Sequence, residues 1–482
     1  MSQQDDGFAG EVTSGGATAG NSDPTPSRSG DSSGSKTSGS KTSRSTISNN
    51  ELMDLESKYC SYGDTVHYME SPKIFERCEG SFLFDDRGTP YLDLQMWHSA
   101  VNFGYSNKRL NDAAHRQLDT LPQVSSKFLH REKIELSARL AQGIERTFGV
   151  KGRIHFNVGG AQAIEDAIKL VRNYTHGKSR MFAFEGGYHG RTLGATAITS
   201  SYRYRRPYGK KPDDCGLYCV DQFARLFDSE YHSVWDAKAE ESEFAAFFAE
   251  PILGTGGYVI PPKGYFEKLK KILEARKILF VADEVQMGFF RAGKMWSIQN
   301  FNVTPDVIVF GKSATNGLNP LSGMWAREEL ISPEVFPPGA THSTYSSNPM
   351  GTAVALEVVK MLEESDYEAM TADKGAYFLE GLKDLQKRHR CIGNVDGIGM
   401  ALRMELCKTE DRYTPDTSLG KRLLNEAFKG DVEVDGKRYG VALDVGGYYK
   451  NVVVFAPNIH MSKAEIDLAI ALVDRLLTRV SQ

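Results

Sequence analysis

The chain has 482 residues, a formal net charge of -4 at pH 7, 40% apolar residues and 25% charged residues, so it is long enough for about two or three domains with complete cores. No region concentrates basic residues as a nucleic-acid partner requires, and no apolar run approaches the roughly 20 residues of a membrane-spanning helix. Six cysteines are scattered along a chain in which we find no signal peptide, so we expect free thiols and a cytoplasmic location.

The first 50 residues consist mainly of Ser, Gly, Thr and Asp and contain almost no large apolar side chain. Such a segment cannot bury enough apolar surface to offset the entropy lost on folding, so we predict a disordered tail over residues 1–50. The early acids Asp5, Asp6 and Glu11 do not fit a transit peptide, and we assign the tail no part in the chemistry.

The segments after the tail predict a β-hairpin and then helices. Apolar and polar residues alternate over residues 74–77 and 81–85, with turn-forming residues at 86–88. Apolar positions recur at helical spacing over residues 108–121 and 132–148, and further helices are predicted at 353–364 and 462–480. The last of these opens with Ser462 and Glu465 at the spacing of a capping box.

A glycine pair between a strand and a helix predicts an anion site. The apolar run 154–158 is followed by Gly159, Gly160 and Ala161 and then by an amphipathic stretch to residue 172. Glycine lets the backbone approach an anion closely, and the N–H groups and dipole of a helix start favour a phosphate. A glycine pair alone is weak support, and it gains weight only beside other parts of a site.

Two later strands end in groups that suit one cofactor. The apolar run 278–282 ends at Asp283, and the next run, 307–310, is followed by Gly311 and Lys312. Ligands of open α/β sheets bind at the carboxyl edge, so both side chains should face one crevice. A lysine that loses its hydration can form an imine with the aldehyde of pyridoxal phosphate, while a carboxylate pairs with the protonated ring nitrogen.

The cysteines give no metal site. Cys215 and Cys219 are the one close pair, and neither a second pair nor a cluster of histidines accompanies them. A structural zinc site normally needs four such ligands. We therefore expect no metal in this protein.

The residues from Asp283 to Gly293, with Thr304, Pro305 and Asp306 and then Gly311 and Lys312, resemble the signature of the class III, ornithine aminotransferase-like, pyridoxal-phosphate aminotransferases. The resemblance extends from about Tyr68 to the C-terminus. It implies an α/β, fold-type I (aspartate aminotransferase-like) transferase with a large, mainly parallel-sheet domain and a smaller α+β domain. We place the N-terminal segment of the small domain at 51–105, the large cofactor-binding domain at 106–349 and the C-terminal small domain at 350–482.

The resemblance also implies roles at the cofactor, pyridoxal 5'-phosphate. Lys312 and Asp283 match the catalytic positions, and Gly160 and Ala161 match the phosphate turn, although Gln162 stands where glutamate is usual. Tyr188 would stack on the ring, Glu250 would lie near it and Gln286 would hydrogen-bond its 3-oxygen. Thr344 resembles a threonine that a neighbouring subunit donates to the phosphate, which implies a homodimer with shared active sites.

The resemblance also implies residues that contact the substrate. The segment around Trp97 and His98 is similar to the wall of the family's substrate pocket, and Arg191 matches a position that can hold a substrate carboxylate. A buried tryptophan, a solvated histidine and a structural arginine are the alternatives for these three.

Two departures from the family pattern bear on the substrate. Val454 stands where many members that handle glutamate place a carboxylate-binding arginine, and Thr255 stands where a glutamate masks that arginine. Loss of both is physically consistent, since a glutamate without its arginine would be an unpaired charge in a closed pocket. A polar amine such as an aminosugar fits such a pocket, and the chain is similar here to the aminosugar transaminases of aminoglycoside antibiotic assembly.

Other functions remain open at this point. A racemase, epimerase or aminomutase of the same fold would also lack the exchange of two carboxylate substrates, and an omega-amino acid transaminase is a further possibility. A P-loop ATPase is disfavoured because Asp306 stands where its loop needs the first glycine. A binding protein without activity is disfavoured because the lysine, the acid, the glycine turn and the aromatic residue are all present.

Overall fold

The computed structural model describes residues 47–61, 63, 70, 72–200 and 244–481. Its strands, numbered in chain order, are β1 (Phe75–Glu79), β2 (Phe82–Asp85), β3 (Pro90–Asp93), β4 (Gly152–Asn157), β5 (Arg180–Ala183), β6 (Phe244–Ala249), β7 (Leu279–Asp283), β8 (Val307–Phe310), β9 (Ser322–Arg327), β10 (Ile392–Ile398), β11 (Ala401–Lys408), β12 (Asp411–Pro415), β13 (Val432–Val434), β14 (Lys437–Ala442), β15 (Asp444–Gly446) and β16 (Val452–Phe455).

The α-helices are α1 (Asn49–Tyr59), α2 (Lys108–Thr120), α3 (Arg131–Phe148), α4 (Gly160–Tyr174), α5 (Leu193–Ile198), α6 (Tyr265–Ala275), α7 (Pro349–Glu363), α8 (Tyr367–Arg388), α9 (Thr417–Ala427) and α10 (Lys463–Ser481), together with a single turn at Met96–Ser99 and two 3-10 helices at Ser297–Phe301 and Lys312–Thr315. Within the described ranges, no helix combines the length and the apolar character needed to cross a bilayer.

A six-stranded sheet supports the site. Its order is β4-β9-β8-β7-β6-β5. Strands β5 to β8 run parallel, while β9 runs antiparallel to both of its neighbours, β8 and β4. Every residue of β6, β7 and β8 is buried, as expected for parallel strands covered on both faces. The prediction of a mainly parallel sheet with Asp283 and Lys312 after neighbouring strands is confirmed.

Two smaller sheets lie in the flanking sequence. One has the order β1-β2-β3-β14-β13, so strands from residues 75–93 share a sheet with strands from residues 432–442. The other has the order β10-β11-β16-β15, with β12 paired to β11. Residues Thr65–Gln482 form one compact unit, and the division at residue 350 stays a prediction.

The predicted hairpin and helices are present with small shifts of their ends. The turn at 86–88 connects β2 to β3, which pair antiparallel, and β1 adds a further antiparallel strand. Helix α7 begins at Pro349, four residues before the predicted start, because Asn348 caps it by accepting the N–H of Gly351. At α10 both bonds of the capping box are made, from the Ser462 N–H to Glu465 and from the Glu465 N–H to Ser462 Oγ.

Most of the predicted tail lies outside the described residues. Helix α1 begins at Asn49, inside the range predicted as tail, with Ser48 and Glu51 forming its capping box. It belongs to a first unit, Met1–Asp64. Cys215 and Cys219 also lie outside the described residues, whereas the described cysteines are free: Cys60, Cys78, Cys391 and Cys407.

Contacts between glycines hold the turn between β10 and β11 close to α8 and to the loop that follows β7. A Cβ atom on Gly375, in α8, would lie 2.0 Å from the carbonyl oxygen of Gly399. Gly399 has φ of +55°, and its own Cβ would lie 2.4 Å from the backbone nitrogen of Gly293. Neither approach leaves room for a side chain, so the absence of Cβ atoms lets the turn at Gly399 lie against both segments.

We predict that Gly375→Ala destabilises the protein by about 1–3 kcal/mol, because the added methyl group meets backbone that cannot move aside. The matched control is Gly143→Ala in α3, where the nearest atom to the new Cβ would be an Arg146 side-chain nitrogen 3.8 Å away. That change should stabilise by about 0.5–1 kcal/mol through helix propensity. The free energy of unfolding of each variant is measured by urea denaturation. Equal changes in the two variants would contradict the close contact at Gly375.

Candidate active site

The carboxyl edge of the six-stranded sheet brings Asp283 and Lys312 together. Asp283 is the last residue of β7 and lies opposite Val309 of β8, three residues before Lys312. The Glu284 N–H donates to the Val309 carbonyl oxygen at 2.8 Å, which fixes the register at this end. Lys312 itself has a φ of 44°, a conformation that costs energy for a non-glycine residue and that recurs at functional sites.

Val285 joins this edge to the predicted phosphate turn. A Cβ on Gly160 would lie 3.0 Å from Val285 Cγ1, and one on Gly311 would lie 3.6 Å from the same atom. The Val285 N–H donates to Asp283 Oδ1 at 3.1 Å. Val285 therefore contacts the start of α4, the acid and the residue that precedes the lysine.

The start of α4 has the character of an anion site. Gly159 precedes the helix and supplies no side-chain cap, so the first N–H groups are left for another acceptor. A Cβ on Gly190 would lie 2.6 Å from the Cβ of Ala161, which places the segment after Tyr188 against this turn. The side chain of Gln162 folds back over Gly159, with Oε1 2.5 Å from where a Cβ of Gly159 would be.

His189 is a site residue that the sequence analysis missed. Its side chain is buried, and Nδ1 lies 2.8 Å from Oδ2 of the buried Asp283. Burial alone lowers the pKa of His189, but the hydrogen bond with Asp283 and the charges of Asp283 and Glu250 raise it above its usual value. With its proton on Nδ1, His189 donates to Asp283 and fixes its orientation. Its position directly after Tyr188 was the available signal, but sequence alone does not say which face it occupies.

Glu250 belongs to the same buried cluster as His189 and Asp283. Its carboxylate accepts the N–H groups of Tyr188 and Gly254, each at 2.8 Å. Burial raises the pKa of Glu250 to about 7, with the charge of Asp283 acting in the same direction and that of His189 opposing it. Glu250 therefore fixes the loop of Tyr188 relative to the loop of Gly254.

Lys312 keeps some accessible surface toward the cavity, yet burial of its ammonium group lowers its pKa, while Asp283 and Glu250 act to raise it. A lysine whose pKa falls holds more of its amine in the neutral form. The neutral amine is the form that attacks an aldehyde, so the environment suits a nucleophile.

A cavity of about 230 Å³ opens beside Lys312. The residues that line it include several of the predicted ones and both departures from the family pattern: His98, Tyr188, Arg191, Thr255, Gln286, Lys312 and Val454. They also include residues that sequence reasoning missed: Tyr258, Asp444, Val445, Gly446 and Lys450. The cavity thus has an aromatic side chain, charges of both signs and no arginine at position 454. In the described part of the chain, no group of histidine, cysteine, aspartate and glutamate residues is suited to a metal ion.

The polar contacts in the cavity are specific. Arg191 Nε donates to the Tyr188 hydroxyl at 3.2 Å, which holds the tyrosine ring across the cavity. Gln286 Nε2 donates to the hydroxyl of the buried Tyr258 at 3.1 Å. A Cβ on Gly254 would lie 2.0 Å from Gln286 Oε1, so only glycine lets the glutamine lie where it does.

Trp97 and His98 lie in a turn of unusual backbone conformation. All four residues of Met96–Ser99 have positive φ, between 43° and 65°. The buried Asp93 holds the turn by accepting the N–H groups of Gln95 and Met96 and the hydroxyl of Tyr105. His98 reaches the cavity, whereas the side chain of Trp97 is 60% exposed, lies against Gly317 and is neither buried nor part of the cavity wall.

Thr344 lies apart from this cavity. Its side chain is exposed, in a loop that ends at the cap of α7. His130 anchors the loop, with Nε2 2.9 Å from the carbonyl oxygen of Ser347, and His342 Nε2 lies 3.4 Å from Ser126 Oγ. An exposed threonine on an anchored loop is compatible with a role in a second subunit's site.

The residues present fit pyridoxal phosphate. A buried acid, Asp283, is oriented by a buried histidine at one point of the site, and an uncapped helix start made of glycines lies at another. A lysine with a lowered pKa and an accessible tyrosine ring complete the set. The acid could hold a ring nitrogen and the helix start a phosphate, while the lysine could bind an aldehyde and the tyrosine could cover a ring face.

Comparison with known proteins agrees with this interpretation. Residues 65–477 match the family model "Aminotransferase class-III". An alanine/serine racemase of Pyrococcus horikoshii is 28% identical over 447 residues, covering 89% of this chain and 90% of the relative, and an ornithine aminotransferase of Staphylococcus epidermidis is 28% identical over 433 residues, covering 88% and 97%. The structure of an (S)-enantioselective omega-transaminase from Thermomicrobium roseum aligns with a TM-score of 0.80 and 28% identity, over 91% of this chain and all of that one. The chain therefore belongs to the class-III aminotransferases and is a pyridoxal-phosphate-dependent enzyme of fold type I.

Proposed function

We propose that this aminotransferase moves an amino group from a small-molecule donor to an aldehyde or ketone acceptor that is an aminosugar precursor or another polar compound. The observation that carries the proposal is the cavity wall, where Val454 and Thr255 stand in place of the arginine and the glutamate of glutamate-handling relatives. A pocket without that clamp gives no preference to a second carboxylate. A place in antibiotic biosynthesis and a cytoplasmic location belong to the same proposal.

Bound pyridoxal phosphate supplies an aldehyde that carries the amino group and a ring that accepts electrons. The neutral amine of Lys312 would hold the aldehyde, and when the donor amine takes its place, Nζ would take a proton from the substrate carbon and deliver it to the former aldehyde carbon. Asp283 would keep the ring nitrogen protonated, and the start of α4 at Gly160 and Ala161 would hold the phosphate. Tyr188, whose hydroxyl accepts a hydrogen bond from Arg191, would cover the ring face and exclude water from it.

His189 acts through Asp283 as a positioning residue. Its Nδ1–H donates to Asp283 Oδ2 in a buried setting, so loss of the bond would leave the carboxylate free to turn. Glu250, which fixes the loops of Tyr188 and Gly254, lies in the same buried group. Gln286 would hydrogen-bond the 3-oxygen of the ring.

A racemase or aminomutase is the second candidate, and the racemase from Pyrococcus horikoshii supports it. An omega-amino acid transaminase is a further candidate, since the similar Thermomicrobium roseum protein is an omega-transaminase. All three would use the same lysine and acid. The racemase or aminomutase differs from our proposal in the steps after the first proton transfer, whereas the omega-amino acid transaminase differs from it only in the substrate.

One experiment separates these outcomes. The cofactor-bound protein is given a single chiral amine, such as L-alanine, without any carbonyl acceptor. Our proposal predicts at most one turnover per site, with loss of the visible cofactor absorbance and its recovery when an aldehyde acceptor is added. Continuous formation of the opposite enantiomer or of a shifted amine, measured by chiral chromatography, would instead establish the isomerase. Repetition with glutamate, glutamine, aminosugars and an omega-amino acid ranks the donors.

We predict that His189→Leu lowers kcat by about 10-fold or more, because a hydrogen bond to a buried charge contributes about 1.5–3 kcal/mol. His189→Asn is the matched control, since its amide can place a donor near the position of Nδ1. It should recover most of kcat, with KM for the amine little changed in both variants. Equal losses in the two variants would mean that His189 matters only for packing.

We also propose a homodimer in which Thr344 of one subunit contacts the phosphate held by the other. Large apolar side chains near the anchored loop are exposed, with Phe128 at 62%, Leu129 at 80% and Tyr345 at 72%, which suits a covered interface.

Mixing inactive variants tests the shared site. Lys312→Ala alone should abolish turnover and the visible absorbance, and Thr344→Ala should weaken cofactor binding. After unfolding and refolding an equal mixture, about half of the dimers are hybrids, and each hybrid contains one site with both native residues. Activity is measured at a cofactor concentration too low to support the Thr344→Ala variant. It should return to about a quarter of the wild-type value, because half of the dimers are hybrids and each hybrid has one intact site out of two. No gain over the sum of the separate variants would show that each site is complete within one subunit.

A further inference from the structure

One wall of the cavity carries a carboxylate close to the position where the arginine is missing. Strand β15 pairs antiparallel with β16, and Asp444 lies directly opposite Val454. Directly opposite residues of an antiparallel pair point to the same face of a sheet, and both of these line the cavity. Where a carboxylate-binding cation would stand, this chain presents a negative charge beside an apolar side chain.

Asp444 is placed where a ligand can reach it. Its side chain keeps 23% of its surface accessible, and Oδ2 lies 3.2 Å from Nδ1 of His98. Oδ1 accepts the N–H of Val445 at 2.8 Å, which fixes the carboxylate at the start of β15. A fixed carboxylate at a partly enclosed wall binds a cation better than a mobile surface acid does.

The charges around the cavity are divided between two signs. Among the described residues that line it, Asp444 is the one carboxylate, while Arg191, Lys450 and Lys312 are the basic side chains. Asp444 and His98 come from strand β15 and from the turn Met96–Ser99, whereas Lys312 comes directly after β8 and Gly311. The acid and the reacting amine therefore come from different elements that line one cavity, so a substrate with two amino groups can contact both.

We infer that Asp444, supported by His98, binds a second ammonium group of the substrate, so that this aminotransferase acts on compounds carrying at least two amino groups. The inference rests on the proposed function and narrows it. Two kinds of compound share this chemistry, an aminosugar or aminocyclitol with several amines and a diamino acid. Both place an ammonium at Asp444 while the other amine reacts at Lys312.

The test compares amines that differ only in the second charge. Cofactor-bound wild-type protein and Asp444→Asn are titrated with 1,4-diaminobutane and with 1-aminobutane, and the dissociation constants are read from the visible cofactor absorbance. Asp396→Asn is the control, because Asp396 is exposed on β10 and its replacement makes the same change in net charge. The wild type and the control should bind the diamine about 10-fold more tightly than the monoamine, and Asp444→Asn should lose that preference.

Each outcome has a definite meaning. If Asp444→Asn weakens both amines equally, or if the wild type shows no preference for the diamine, the inference is wrong while transamination stands. If no amine changes the wild-type absorbance, the proposed function and the inference both fail. Should Asp444→Asn not fold, the wild-type comparison still decides whether the site prefers a second ammonium group, and no preference would refute the inference.

Two further ligands distinguish an aminosugar or aminocyclitol substrate from a diamino acid. A diaminocyclitol that binds more tightly than 1,4-diaminobutane supports the aminosugar class, and tighter binding of 2,4-diaminobutyrate supports a diamino acid held also by its carboxylate. Either preference must disappear in Asp444→Asn for the inference to hold.

Discussion

The site depends on the register between two buried parallel strands. Because Asp283 lies opposite Val309, the acid and the lysine three residues beyond emerge at one edge, where the acid is buried and the lysine is largely shielded from water. An isolated charge there would be costly, and the structure offsets this cost by hydrogen bonds rather than by exposure. His189 donates to Asp283, two backbone N–H groups donate to Glu250, and Lys312 responds by a lowered pKa. The chemistry of the lysine is therefore a consequence of the packing of the strands.

Much of this arrangement could be predicted from sequence because it depends on short-range rules. Apolar runs that end in Asp283 and before Lys312 indicate strand ends, and the Gly159–Gly160 pair before an amphipathic stretch indicates a helix start. The capping box at Ser462 and the hairpin after residue 74 are local patterns of the same kind. Such features need only neighbouring residues, and the structure contains them with shifts of a few positions.

The remainder depended on contacts between distant segments. His189 meets Asp283 across 94 positions of sequence, and no periodicity links the two. Asp444 reached the cavity through the pairing of β15 with β16, which sequence alone did not assign. Trp97 was expected at the substrate or in a buried interface, and both roles stay predictions. In this chain its side chain is exposed and does not line the cavity, and the turn around it has positive φ throughout. Glycines account for other close contacts between segments. Gly160, Gly254 and Gly375 each let a distant segment come closer than a Cβ atom would allow.

The central claim is that Lys312 is the residue that binds the aldehyde of pyridoxal phosphate. The most direct measurement is reduction of the cofactor-bound protein with borohydride, and then proteolysis and mass spectrometry to locate the modified lysine. The account predicts a single phosphopyridoxyl group, on the peptide that contains Lys312. A modification at another lysine, or a protein that binds the cofactor without any modified peptide, would contradict it.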